Sequence, residues 1–280
     1  MNNSAQADAL SRSYSFYIVR RNGERTSERQ ESLMIEHQAR VYLNGLLTYI
    51  LTSTLDRLPE LVIGHLRTER IIRSIDDVDD IRVDNGGRSA YVTLHEHMPD
   101  RAEAQPERCS TSESKICTLS NVYRTRFPLE PIRSIPYELS WIFHLADTLG
   151  DEHLLPLYGL THNSHCCMLM REGEILLRIE DVGRHNALDK VIGWALMNRV
   201  ALNQCIVFTT GRLAEDMVQK VVAAGIPVMV TKAMPTDQAI QLALRHNISV
   251  ICAAHSDGLK ILTNSGAAFD SEAPAVSKAI

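Results

Sequence analysis

The stretch CIVFTTGRLAEDMVQKVVAAGIPVMVTKAMPTDQAIQLALRHNISVICAA, residues 205–254, alternates short apolar runs with amphipathic segments. Residues 205–209, 226–231 and 248–254 read as buried strands. Between them a helix follows Thr210-Gly211-Arg212 and stops at Gly225, and a second helix spans residues 236–245. This βαβαβ order predicts parallel strands with right-handed crossovers, covered by helices. Ligands of such sheets sit beyond the strand C-termini, which puts residues 209–212, 232–236 and 254–258 along one rim.

Upstream, Asn186 is placed to cap a helix running to about residue 200, with Leu188, Val191, Ile192, Ala195 and Leu196 as its apolar stripe. A hairpin precedes it, residues 165–170 and 174–179, turned by Glu172-Gly173. Before that a helix over residues 137–149 is closed by Gly150. Downstream, Ser256-Asp257-Gly258 turns into a last short strand at 260–262. The N-terminal third reads as antiparallel β structure. Residues 15–20, 33–36 and 40–43 are strand-prone, Asn44-Gly45 and Asn85-Gly86-Gly87 invite tight turns, and a helix over 59–68 carries Leu61, Val62, His65 and Leu66 on one face. The expected organisation is a disordered 1–13, an α+β portion over 14–97, a polar cysteine-bearing loop over 98–119, an α/β domain over 120–264 and a flexible tail over 265–280.

A chain of 280 residues that is 45% hydrophobic can bury a sizeable core. Its net charge of −5 and lack of a basic run argue against a nucleic-acid partner. Six scattered cysteines point to a reducing compartment. With no signal-peptide core and no apolar run long enough to span a bilayer, a soluble cytoplasmic protein is expected.

The densest polar cluster is EDVGRHNALDK, residues 180–190. Its plain explanation is a capped helix, with Asp181 and Asn186 satisfying free amides and Asp189 and Lys190 solvated. A ligand-binding explanation is also open. Gly183 allows a tight turn, the helix start attracts an anion, and Arg184 suits a phosphate or diphosphate. A zinc deaminase would need H-x-E and P-C-x-x-C, and neither occurs: His95-Glu96-His97 has the wrong spacing. His165-Cys166-Cys167 is no better, because neighbouring strand residues face opposite sides; its thiols are expected to be buried.

The fourteen residues EDVGRHNALDKVIG (180–193) resemble the hallmark of the formate dehydrogenase accessory protein family, FdhD/NarQ. The segment TGRLAEDMVQKVVAAGIPVMVTKAMPT is similar to that family's Gly-Arg turn, Met-Val-Gln-Lys helix and Pro-Thr turn, here Gly211-Arg212, residues 217–220 and Pro235-Thr236. The resemblance implies a cytidine-deaminase-like α/β fold, a mixed sheet with helices on both faces. It also implies a sulfurtransferase-type carrier that takes sulfur from a cysteine desulfurase as a cysteine persulfide. That sulfur passes to the molybdenum cofactor, bis(molybdopterin guanine dinucleotide), which is bound as cargo without zinc and is destined for formate dehydrogenase. A homodimer is expected on the same grounds.

In this family the sulfur-bearing loop carries Cys-x-x-Cys after a Thr/Ser run. The matching stretch here is TSESKICT, residues 111–118, which keeps the second cysteine as Cys117 and has Ser114 in place of the first. Lys115 and Thr118 stand where glycines are expected. One thiolate suffices for a persulfide carrier, so the resemblance implies Cys117, with Lys115 favouring its thiolate and Cys109 as the other thiol within reach. It further implies that Arg184, His185, Thr210, Gly211, Arg212, Lys232, Pro235, Thr236, Ala253, Ala254, His255, Ser256, Asp257 and Gly258 contact the cofactor. A second departure is LTHNSH, residues 160–165, where His162 and Asn163 replace two glycines; Asn163 could keep the turn by going left-handed. The competing functions are a cofactor-binding chaperone that has lost the sulfur relay and a scaffold that only bridges desulfurase and dehydrogenase.

Overall fold

In the computed structural model, which describes residues 7–84, 86–95, 128–149, 154–266 and the backbone of 114–116, two sheets enclose a layer of helices. The first sheet has five strands in the order β5-β6-β3-β4-β7: Val78–Val83, Ser89–Leu94, His37–Leu43, Leu46–Ser53 and Ser114–Ile116. Asn44 and Gly45 turn β3 into β4 with positive φ angles of 47° and 81°, as a two-residue hairpin requires. The antiparallel expectation fails at one seam, because β3 and β6 run parallel. A separate ribbon pairs β1, Ser11–Phe16, with β2, Arg29–Met34, so regular structure begins upstream of the expected boundary at residue 14.

The second sheet has six strands in the order β13-β12-β11-β10-β8-β9. These are Gly258–Thr263, Ser249–His255, Val228–Thr231, Ile206–Thr209, His165–Arg171 and Glu174–Asp181. Strands β10, β11 and β12 are parallel, and the first two are buried along their whole length, as strands covered on both faces must be. Helices α4 (Arg184–Met197), α5 (Glu215–Ala224) and α6 (Asp237–His246) cover one face; α2 (Leu139–Thr148) covers the other. A short α3, Pro156–Thr161, leads into β8. The mixed α/β class with helices on both faces is therefore the one observed. Two of the helices end at residues suited to a left-handed stop, α5 at Gly225 (φ 80°) and α6 at Asn247 (φ 61°).

Helix α1, Leu58–Thr68, lies between the two sheets and crosses α4. Being enclosed, it buries Ile63 and Gly64 as well as the anticipated Leu61, Val62, His65 and Leu66. Gly64 and Gly193 meet at the crossing: a Cβ on Gly64 would fall 2.9 Å from the Gly193 amide nitrogen and closer still to the Asp189 carbonyl oxygen. Helix α4 is thus covered on nearly every side, with all residues from His185 to Gly193 buried. The single stripe expected for it was too narrow. Its start also differs, since Gly183 rather than Asn186 is the N-cap. Asp181 Oδ1 accepts from the Gly183 amide, and Asn186, inside the first turn, donates to Thr52 O and Asp181 Oδ1.

Candidate functional site

The C-terminal ends of β10 and β11 are tied together by backbone and hydroxyl contacts. Lys232 N donates to Thr209 O, Thr231 Oγ1 to Gly211 O and Thr236 N to Leu213 O, while Leu213 and Pro235 form an isolated parallel bridge. The turns 209–213 and 231–236 therefore form one rigid ledge. Arg212 and Lys232 stand exposed on it, without an ion pair among the described residues. Beside them, Ala253 takes a positive φ of 47° within β12 at a register shift, and its amide reaches Ala233 O. His255, Ser256 and Asp257 form the exposed tip of the β12–β13 hairpin.

The N-terminus of α4 opens onto this ledge. Arg184 lies across Gly211, where any Cβ would sit 2.7 Å from the Arg184 Cβ and 2.9 Å from its Cδ. The arginine stem by itself therefore excludes a side chain at position 211. His185, 3% exposed, directs Nε2 to Asp216 Oδ2 at 2.9 Å. That hydrogen bond, with the charge of Arg184 nearby, holds the Asp216 carboxyl below the usual carboxylate range. An ionised Asp216 accepts the Nε2 proton, which fixes the tautomer and the orientation of the ring. Thr210 Oγ1 accepts from Cys166 N at 2.9 Å and lies 3.5 Å from His165 Nδ1, so a second histidine joins the rim from the start of β8.

Behind the rim, α4 buries two charged clusters. Lys190 Nζ, fully buried, reaches Asp181 Oδ2 at 2.6 Å, Thr54 Oγ1 at 2.7 Å and Asp56 Oδ1 at 2.9 Å. Asp189 accepts from Lys220 Nζ (2.7 Å) and Thr68 Oγ1 (2.9 Å) and pairs with His65 Nδ1 (3.1 Å). Burial pushes the Asp189 carboxyl up, but Lys220 and His65 outweigh it and hold it at about 2. These residues are not solvated, contrary to the plain explanation of the cluster. They bind α4 to α1, α5 and the end of β4, and so position Arg184 and His185.

Most of the anticipated rim does converge: Arg184, His185, Thr210, Gly211, Arg212, Lys232, Pro235 and the hairpin tip share one edge of the sheet. Two members have structural roles of their own. Ala254 is 1% exposed and packs in the core beneath the sheet, and the Thr236 hydroxyl caps α6 by accepting from Ala239 N. In the 160–165 turn the left-handed residue is His162 (φ 50°), not Asn163. Cys166 and Cys167 do point to opposite faces, each in a different core cluster, and burial pushes both thiols up. Cys117 and Cys109 lie outside the described residues, as do Gly150, residues 1–6 and the tail from residue 267. The nearest described backbone is β7, where Ser114 stands opposite Leu51 and Ile116 opposite Tyr49. Asp216 escaped the sequence reading. Its signal was an acidic residue in the first turn of a helix that starts at the same rim as His185.

Among the described residues no helix is long and apolar enough to cross a membrane, and no three His, Cys, Asp or Glu side chains gather as a metal site needs. Comparison with known proteins places this geometry. The chain is 30% identical over 248 residues to the sulfur carrier protein FdhD of Nocardia farcinica, covering 84% of this chain and 87% of that one. It is 29% identical over 259 residues to the protein of the same name from Mycolicibacterium paratuberculosis, covering 84% and 91%. A crystal structure from Desulfotalea psychrophila, provisionally described as a formate dehydrogenase accessory protein, superposes with a TM-score of 0.71 at 25% identity, covering 91% of this chain and 97% of that one. The family model for FdhD/NarQ matches residues 34–268, nearly the whole of both sheets and the helices between them, and the chain belongs to the FdhD/NarQ family.

Proposed function

We propose that the protein is a sulfur carrier for formate dehydrogenase maturation that receives sulfur on Cys117. The thiolate of Cys117 attacks the terminal sulfur of a cysteine desulfurase persulfide. The desulfurase thiolate leaves, and a Cys117 persulfide remains. Delivery breaks the new S–S bond and returns the Cys117 thiolate. The sulfur becomes a sulfide ligand of molybdenum in bis(molybdopterin guanine dinucleotide), a change that takes two electrons from a thiol reductant. The observation that carries the reading is the ledge itself. Exposed Arg212 and Lys232, with Arg184 at the first turn of α4, supply cations and helix amides to a diphosphate, while the His185–Asp216 pair stands beside them to move a proton near the sulfur. The protein would work as a homodimer in the reducing cytoplasm.

Incubation with a cysteine desulfurase and cysteine should add one sulfur atom to Cys117, seen by mass spectrometry of the peptide. Repeated absence of that mass, with guanine nucleotide binding intact, overturns the carrier and favours the second reading, a cofactor-binding chaperone. That alternative has one specific observation behind it: Ser114 in the first cysteine position. Unchanged nucleotide affinity in an Arg184→Ala, Arg212→Ala double variant would contradict the ledge as the binding site.

A further inference from the structure

The ribbon of β1 and β2 is a pair of strands without a third. It is tied to the body at its base, where Ala7 is buried and β2 lies near α3, and a bridge between Val19 and Arg25 extends it to a turn at Gly23 (φ 84°). No residue from 11 to 34 is buried, and Tyr14, Tyr17, Ile18, Val19 and Leu33 are 42–57% exposed. Two strands bury too little to offset the entropy of ordering them, and stability takes at least a third strand with an apolar face. The ribbon has such a face. Tyr14 stands opposite Glu31, Phe16 opposite Arg29 and Arg12 opposite Leu33, so Tyr14, Phe16 and Leu33 share one side.

The outer edge of β2 is open. Ile35 N donates to Leu10 O, and antiparallel pairing alternates, so Leu33, Glu31 and Arg29 turn their backbone groups to β1 while Ser32 and Gln30 turn theirs outward. Those outward groups make no backbone hydrogen bond among the described residues. The Gln30 side chain leaves the edge clear, because it lies across β1 between the hydroxyls of Ser13 (3.0 Å) and Ser15 (2.6 Å). The sequence around Gln30 selects the missing strand. Arg29 and Glu31 flank it, both exposed and without an ion pair among the described residues. An antiparallel copy of β2 centred on Gln30 sets Arg29 against Glu31 twice, once on each side of a two-fold axis. The other edge offers no such match. From residue 11 to 21 that strand and its extension hold Arg12, Arg20 and Arg21 and no acid, so two β1 edges would repel.

We infer that β2 pairs with β2 of a second copy, antiparallel about Gln30, to build a four-stranded sheet shared between two chains. This gives the homodimer of the proposed function its interface and rests on that part of the reading alone. The central pair is closed by the Gln30 backbone groups, and Tyr14, Phe16 and Leu33 of both copies fall on one face. Sedimentation of the full chain at low salt tests it. The unmodified chain should have the mass of two copies. Arg29→Glu or Glu31→Arg should raise the dissociation constant about tenfold, because each sets like charges opposite one another twice. The double variant Arg29→Glu, Glu31→Arg rebuilds both pairs and should return to within about threefold of the unmodified chain, which a loss of folding could not do. Gln30→Cys should form a disulfide between copies under mild oxidation, since Cα atoms about 5.5 Å apart allow one. A single-copy mass for the unmodified chain, a dimer indifferent to both charge reversals, a double variant as weak as the single ones, or no cross-link through position 30 would each overturn the inference. Persulfide formation on Cys117 is read separately, so a failed sulfur relay and a failed interface are told apart.

Discussion

Adding one methyl group at the α1–α4 crossing should destabilise the protein severely. A Cβ on Gly64 would lie within 3.0 Å of the Asp189 carbonyl group and the Gly193 amide, and a Cβ on Gly193 would meet Glu60 O and the Gly64 amide at similar range. Both obstacles are backbone, so no rotamer change relieves them, and the helices must move apart by on the order of 1 Å. Overpacking of this kind costs about 1–3 kcal/mol by itself. Separation also stretches the His65–Asp189 contact and the Thr68–Asp189 hydrogen bond, which span the crossing and are together worth about 1–3 kcal/mol. Gly64→Ala should therefore cost about 4 kcal/mol, seen as a drop of roughly 10 °C in thermal melts or a matching shift in urea midpoint. Gly193→Ala should cost as much. The double variant should cost about 1–3 kcal/mol less than the sum, because one displacement relieves both clashes. The control is Gly225→Ala, which meets no atom within 4 Å and should cost only about 1 kcal/mol for its positive φ. A Gly64→Ala variant as stable as Gly225→Ala, or two strictly additive single changes, would refute the close-crossing argument.

Lys190→Met should cost about 3–5 kcal/mol by leaving Asp181 buried without its cation, and adding Asp181→Asn should recover part of that loss; chemical denaturation reads both. Because Asp189 is held at about 2 when folded, against an ordinary carboxylate value near 4, its stabilisation is present above pH ~4 and is lost as pH falls towards 2. That is about 2 kcal/mol, and an Asp189→Asn variant should melt with a flatter pH dependence in this window. Asp216→Asn should leave folding nearly unchanged yet slow sulfur delivery by about tenfold to a hundredfold, since His185 loses the acceptor that orients it; normal rates would remove His185 from the chemistry. Cys166 and Cys167, buried and with raised thiol values, should resist iodoacetamide at pH 8 until the chain is unfolded, and prompt labelling of the native protein would contradict their placement.

Elements set by local signals were legible from the residues. The Asn44-Gly45 and Glu172-Gly173 turns, the Gly225 stop and the continuous apolar strands each depend on φ preferences and periodicity within a few positions. The parallel order of β10 to β12 followed from their spacing, and with it the shared rim of Thr210, Arg212 and Lys232. Tertiary structure decided what lies between the sheets. Asp189 and Lys190 look like solvated helix charges until α1, from a segment more than a hundred residues away, supplies His65 and Thr68, the loop after β4 supplies Thr54 and Asp56, and α5 supplies Lys220. Gly64 and Gly193 reveal their purpose only when the two helices meet, and Asp216 becomes the partner of His185 only when α5 docks beside α4. Periodicity reports how much of a helix is apolar. It cannot report which distant backbone will press against it, because that depends on contacts between parts of the chain that share no local signal.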